Sequence, residues 1–196
     1  MAAKQRRIGR AEQAASAVRV YTLIVPGLLQ TAEYTHRLFD MQASLQPDLF
    51  PDLAAGRAAF AERQQMLFRS AGRFEFVVPE SALLWRPGPD GDPRTLVTQL
   101  RHIANLSTLD TVRFGVIPLD APARVCVMHE FVMIGELGVD DNVEVTIHTT
   151  TRELHIRDDA QIKTYTALWE RVCDDAVFDD GARDLLATTA NRLLAS

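Results

Sequence analysis

The chain has 196 residues, 47% of them hydrophobic and 24% charged, with 10 Gly and 9 Pro. That composition belongs to a globular domain with its own core, and it excludes a disordered chain, a fibrous repeat and a disulfide miniprotein. The formal net charge is −5, yet Lys4, Arg6, Arg7 and Arg10 precede any acid, so residues 11–196 hold 17 basic against 26 acidic groups and make a poor platform for a phosphate backbone.

Residues 1–10 read as a basic leader, a solvated helix end or a remnant of an interdomain segment, and residues 11–196 as one domain. Ala11, Ala14, Ala15 and Val18 fall at helical spacing, which predicts a helix ahead of the Pro26-Gly27 turn. Thr31 is placed to cap a second helix with Tyr34, Leu38 and Met41 on one stripe, interrupted near Pro47 and Pro51. Gly56 to Ser70 predicts another helix, with Arg63 and Gln64 on the face of Phe60 and Leu67.

Arg73 to Val78 alternates and then turns wholly apolar, as a strand entering a core does. A helix over Leu96, Val97, Leu100, Ile103 and Ala104 and a short strand over Val112 to Ile117 follow, and the crossover rule predicts that the two strands run parallel. Val125 to Leu137 and Val143 to Ile156, divided by the turn-rich residues 138–142, predict an antiparallel hairpin. Two helices close the chain, one over Ile162 to Ala176 and one after Asp180-Gly181. The fold class is α/β: a small mixed sheet with a helical amino-terminal section and carboxy-terminal helices.

Candidate chemistry is sparse. None of His36, His102, His129, His148 and His155 belongs to a zinc-protease or triad signature. Cys126 and His129, three apart on a strand, point to opposite faces, so no metal is expected and Cys126 reads as a small buried hydrophobe. No glycine-rich phosphate loop occurs and nothing calls for a cofactor. Two cysteines without a framework fit a reducing, cytoplasmic setting, and no segment offers about 18 uncharged apolar residues for a membrane span. Tyr165, Trp169 and Val172 at helical spacing read as core packing. Glu80 ends a predicted parallel strand, where open α/β sheets place ligands, although a surface or helix-start carboxylate is the favoured reading there. Arg63, charged on an apolar stripe, must snorkel, pair or meet a ligand, and Glu80 is the expected partner. Either the pair ties helix to sheet or it contacts a ligand, and Gln64 carries the same ambiguity. A ligand site away from that pair is expected near Trp85 and Pro118. The Pro26–Leu29 turn should dock its leucines under the sheet, with Gln30 hydrogen-bonding the turn.

The run Val25-Pro26-Gly27-Leu28-Leu29-Gln30-Thr31-Ala32-Glu33-Tyr34 resembles the VPGLLQTxxY motif of the DUF5753 family, the Scr1-like or antitoxin-like domain of actinobacterial regulators. Arg63-Gln64-x-x-Leu67, Val77-Val78-Pro79-Glu80-Ser81-Ala82-Leu83, Gln99-Leu100 and Val116-Ile117-Pro118 continue the resemblance in order. It implies a sensing or interaction domain of the kind that follows an XRE-type helix-turn-helix reader, with candidate contacts at Arg63, Gln64, Glu80, Trp85, Gln30 and Tyr34. The candidate partners are a small DUF397-like protein, an unidentified small molecule and a second copy of the chain. Phe60 and Thr149-Thr150 stand where the family pattern often has Arg and Glu. The carboxy-terminal hairpin and Tyr165-x-x-Leu168-Trp169 are distantly similar to phospholipase D-like domains, without the HxK signature of the active enzymes. The alternative expectation is a stand-alone biosynthetic enzyme built on a Glu80/Arg63 pocket.

Overall fold

A computed structural model describes residues 2–68 and 71–195. Strand and helix segregate by side-chain pattern into a seven-stranded mixed sheet with six α-helices among the described residues. The elements are α1 (Ala2–Ala14), β1 (Ala17–Tyr21), α2 (Ala32–Leu45), α3 (Leu53–Gln64), β2 (Arg73–Pro79), α4 (Pro93–Leu106), β3 (Val112–Ile117), β4 (Phe131–Ile134), β5 (Glu144–His148), β6 (Glu153–Ile156), α5 (Asp159–Asp174), β7 (Val177–Phe178) and α6 (Asp179–Ala195). Spatial order is β6-β5-β4-β1-β2-β3-β7, with β1, β2 and β3 mutually parallel and the remaining neighbours antiparallel.

The parallel β2–α4–β3 unit forms as expected, in register from Phe74 opposite Val112 to Pro79 opposite Ile117. Its helix buries Leu96, Leu100 and Ile103 completely. Thr31 caps α2, its side chain accepting a hydrogen bond from the Tyr34 amide at 3.3 Å. The helical stretch from Gly56 is α3 followed by a 3-10 turn over Gln65–Phe68; its expected end at Ser70 lies outside the described residues.

Three expectations are corrected. The helix ahead of Pro26 ends at Ala14, and Ala17–Tyr21 is instead a strand between β2 and β4. Val18 and Val20 alternate with Arg19 there, and pairing on both edges outweighs the helical spacing of the alanines. The expected antiparallel hairpin forms between β4 and β5, but its second arm is divided: β5 turns back at residues 149–152 to pair with β6. The break between the last helices falls at β7, so Asp180 and Gly181 lie inside the start of α6. In addition α1 runs through residue 10, where the leader was divided from the domain, and rests on α3.

Strand alternation gives the sheet two unlike faces. One carries Val18, Phe74, Phe76, Val78, Phe114 and Val116 into a core shared with α4 and α6. The other carries Tyr21, Val77, Phe131, Met133, Val145 and Ile147 toward Ile162, Trp169 and Val172 of α5. The stripe read from Trp169 and Val172 is therefore core. Across β1, β2 and β3 this second face also bears Arg19, Glu75 and Arg113 in register, with Arg19 Nε donating to Glu75 at 3.0 Å and Arg113 stacked 3.8 Å from the Phe178 ring centre.

Candidate functional site

The first face changes character along the sheet. Over β1–β3 it is apolar, but over β5 and β6 the same alternation brings up Glu144, Thr146, His148, Glu153 and His155, with Thr146 opposite His155 and His148 opposite Glu153. A polar strand face ordinarily meets water. Here α1 lies over part of it, leaving a partly open cavity of about 240 Å³ lined by Lys4, Arg7 and Ile8 and by residues of the two strands.

Charge holds that cover in place. Lys4 pairs with Glu153 at 2.5 Å and Arg7 reaches the same carboxylate at 3.4 Å. Glu153 also faces His148 at 3.1 Å, while Glu144 takes His155 at 2.7 Å and Arg157 at 2.5 Å. Burial works to raise both carboxyl groups, yet the hydrogen bonds from Lys4 to Glu153 and from His155, Thr146 and Arg157 to Glu144 outweigh it and hold both below the ordinary carboxylate range. His148, with 42% of its side chain exposed, is pushed down by partial burial and by Lys4 and Arg63, against the pull of Glu153 and Glu130, so it is neutral at neutral pH.

Arg63 stands where α1 and α3 meet. Its Nε donates to Glu12 at 2.6 Å, its Nη2 to the other Glu12 oxygen, and its Nη1 to Gln5 at 3.1 Å. Glu12 is completely buried, so the fork-shaped pair is what makes a carboxylate tolerable there. The expected Arg63–Glu80 pair does not form. Glu80 instead accepts from the Leu119 amide at 3.0 Å at the end of β2, because the carboxylate nearest the inner face of α3 comes from α1.

On its other side Arg63 lines a second cavity, of about 340 Å³, at the carboxy end of β1. The two cavities share Arg63, Val132 and His148 as lining. The second is walled by Leu38 and Phe39 of α2, Phe50, Phe60 and the turn from Val25 to Leu28, with Val20 and Phe76 of the sheet and Glu130 also lining it. Phe39 meets Phe50 and Phe60 edge-on at 5.8 and 5.6 Å.

The motif turn is built as expected, with Leu28 and Leu29 buried in a 3-10 turn. Three glutamines lace it. Gln30 Nε2 donates to the Val25 carbonyl at 2.8 Å while its carbonyl oxygen accepts from the Thr35 hydroxyl at 3.0 Å. Gln64 donates to the carbonyls of Gly27 and Gln30 at 3.0 and 2.7 Å, so its place on the Arg63 face is used on the turn. Gln99, fully buried on α4, donates to the Leu29 carbonyl and accepts from the Thr31 amide, both at 2.7 Å. Tyr34 is buried beneath the turn, with burial raising its phenol despite the Val25 backbone, and its ring packs edge-on against half-buried Trp85 at 6.3 Å.

Of the six residues singled out in the sequence, Arg63 lines both cavities and Gln30 lines the second while fastening the turn, Gln64 and Tyr34 build the turn beside them, and Glu80 and Trp85 belong elsewhere in the framework. Glu12, Glu130 and His148 were missed. The signal for His148 was the alternation of Glu144, Thr146 and His148 against Val145 and Ile147, while Glu12 and Glu130 needed tertiary contacts. Cys126 is exposed rather than buried, because residues 125–130 are irregular chain before β4. Among the described residues no group of three or more His, Cys, Asp and Glu converges as metal ligands, and no helix is long and apolar enough to cross a membrane.

Fold and site together define a mixed α/β domain with paired cavities, one polar beneath an amino-terminal helix and one aromatic beneath a glutamine-laced turn. The family model described as a domain of unknown function, DUF5753, matches residues 5–188, and the chain belongs to that family. No curated protein and no solved structure matches it.

Proposed function

We propose that this chain is a cytoplasmic ligand-binding regulatory module, the effector-type half of a transcriptional regulator, in which a small molecule in the aromatic cavity is the input and the seating of α1 is the output. The observation that carries the reading is the double duty of Arg63, which lines the cavity and also holds Glu12 and Gln5 of α1. A ligand touching Arg63 interacts differently with the seated and unseated states of α1, which is the condition for regulation. A small DUF397-like protein or an attached DNA reader would then respond to α1. A Glu80/Arg63 pocket is the less favoured reading, since each of the two side chains is bound elsewhere.

Native mass spectrometry of the chain equilibrated with the small-molecule fraction of a bacterial extract tests this reading. The expected result is a retained small adduct that Leu38→Trp, which fills the cavity, abolishes, with the compound released unchanged. Absence of any adduct contradicts a binding module, and release of a compound of altered mass contradicts a non-enzymatic one.

A further inference from the structure

The aromatic cavity has a charge imbalance. Arg63 is matched by Glu12, and partial burial keeps His148 from adding a compensating proton at neutral pH. Glu130 is different. One of its oxygens accepts from the Thr22 hydroxyl at 3.0 Å and from the Leu23 amide at 2.7 Å, which pins the carboxylate at the end of β1. Among the described residues its second oxygen has no hydrogen bond, and no cation comes within ion-pair distance of the group. Tyr21 and His148 both lie within its field, and neither carries a positive charge at neutral pH.

The cavity therefore carries one unmatched negative charge beside a lining rich in Phe39, Phe50, Phe60 and Phe76. Aromatic faces and a fixed carboxylate both favour a cation, and both disfavour an anion. The apolar walls exclude a small hydrated metal ion as occupant and favour an organic body. We propose that the cavity beneath the Pro26–Gln30 turn binds a protonated organic amine, its ammonium group on Glu130 and its apolar body among the phenylalanines. This assigns a ligand class to the binding reading above and rests on it.

Three probes of one shape separate the possibilities: 2-phenylethylamine, 2-phenylethanol and 3-phenylpropionate, titrated calorimetrically into the full chain at pH 7. The amine is expected to bind best, Glu130→Gln to weaken it by about tenfold or more, and the alcohol to be indifferent to that substitution. Leu38→Trp should abolish amine binding, with melting curves confirming that both variants fold. Glu130→Asp, which keeps the charge, should retain most of the affinity and separates loss of charge from loss of folding. Unchanged amine affinity in Glu130→Gln, tighter binding of the acid, amine binding that survives Leu38→Trp, or no amine binding would each overturn the assignment. A non-amine adduct from the extract, removed by Leu38→Trp but not by Glu130→Gln, would overturn the amine and leave the binding module standing.

Discussion

The Pro26–Gln30 turn and the seat of α1 lie on the same side of the sheet, and opposite chemistry holds them. The turn is fastened by neutral amides of Gln30, Gln64 and Gln99, each donating its side-chain amide to backbone carbonyls. The helix is fastened by Arg63 on Glu12, by Lys4 and Arg7 on Glu153, and through the carboxylates and histidines beneath it. Neutral buried bonds do not titrate and are little affected by salt, whereas ion pairs respond to both. The turn is thus suited to be a fixed wall, and α1 to be the part that moves.

The largest expected effect breaks the seat of α1 at its centre. Arg63→Ala strands the buried Glu12 carboxylate and should cost about 3–5 kcal/mol in denaturant unfolding, the range for removing one partner of a buried pair. A loss below about 1 kcal/mol would mean that α1 had never been seated through this pair. Gln99→Ala attacks the wall instead, leaving the Leu29 carbonyl and the Thr31 amide without their partner. The expected cost is about 1–3 kcal/mol for each group left buried, and it should be the same in low and high salt. Salt dependence matching that of the α1 variants would erase the distinction between the two regions.

Acid should act on the seat and spare the wall. Glu144 and Glu153 are held below their ordinary value of 4.5, so their stabilisation is complete above that pH and is lost as the pH falls through their lowered values. His148 is lowered from 6.5, so the unfolded chain takes up its proton first and stability also declines as the pH falls below 6.5. His148→Gln should flatten the decline of Tm just below pH 6.5, with His102, lowered by burial as well, keeping part of the slope. An unchanged slope would remove His148 from the account. The smallest effect is expected from Arg7→Ala, which deletes a 3.4 Å contact from a side chain 59% exposed and should cost about 0–1 kcal/mol, less at high salt.

The same contrast explains what could be read from the sequence. The turn is local, so Pro26-Gly27, the Thr31 cap and the burial of Leu28 and Leu29 followed from adjacent residues. β2, α4 and β3 were legible because each has a clean period, whereas β1 was not, because five residues with flanking alanines satisfy a helical spacing until pairing with β2 and β4 decides. Arg63 was legible as a charge on an apolar face, but its partner was not. Glu12 lies 51 positions earlier on a helix whose beginning read as a leader, and only the packing of α1 on α3 selects it over Glu80. Glu130 escaped notice because irregular chain before β4 has no period to read.

Coupling between the aromatic cavity and α1 through Arg63 is tested most directly by hydrogen exchange in α1, followed with and without the saturating small molecule that proves to bind. The account predicts that occupancy changes protection across residues 5–14 while the amides of Leu29, Gln30 and Thr31 keep theirs, and that Glu12→Gln abolishes the response. Exchange in α1 that is identical in the free and occupied protein would contradict it.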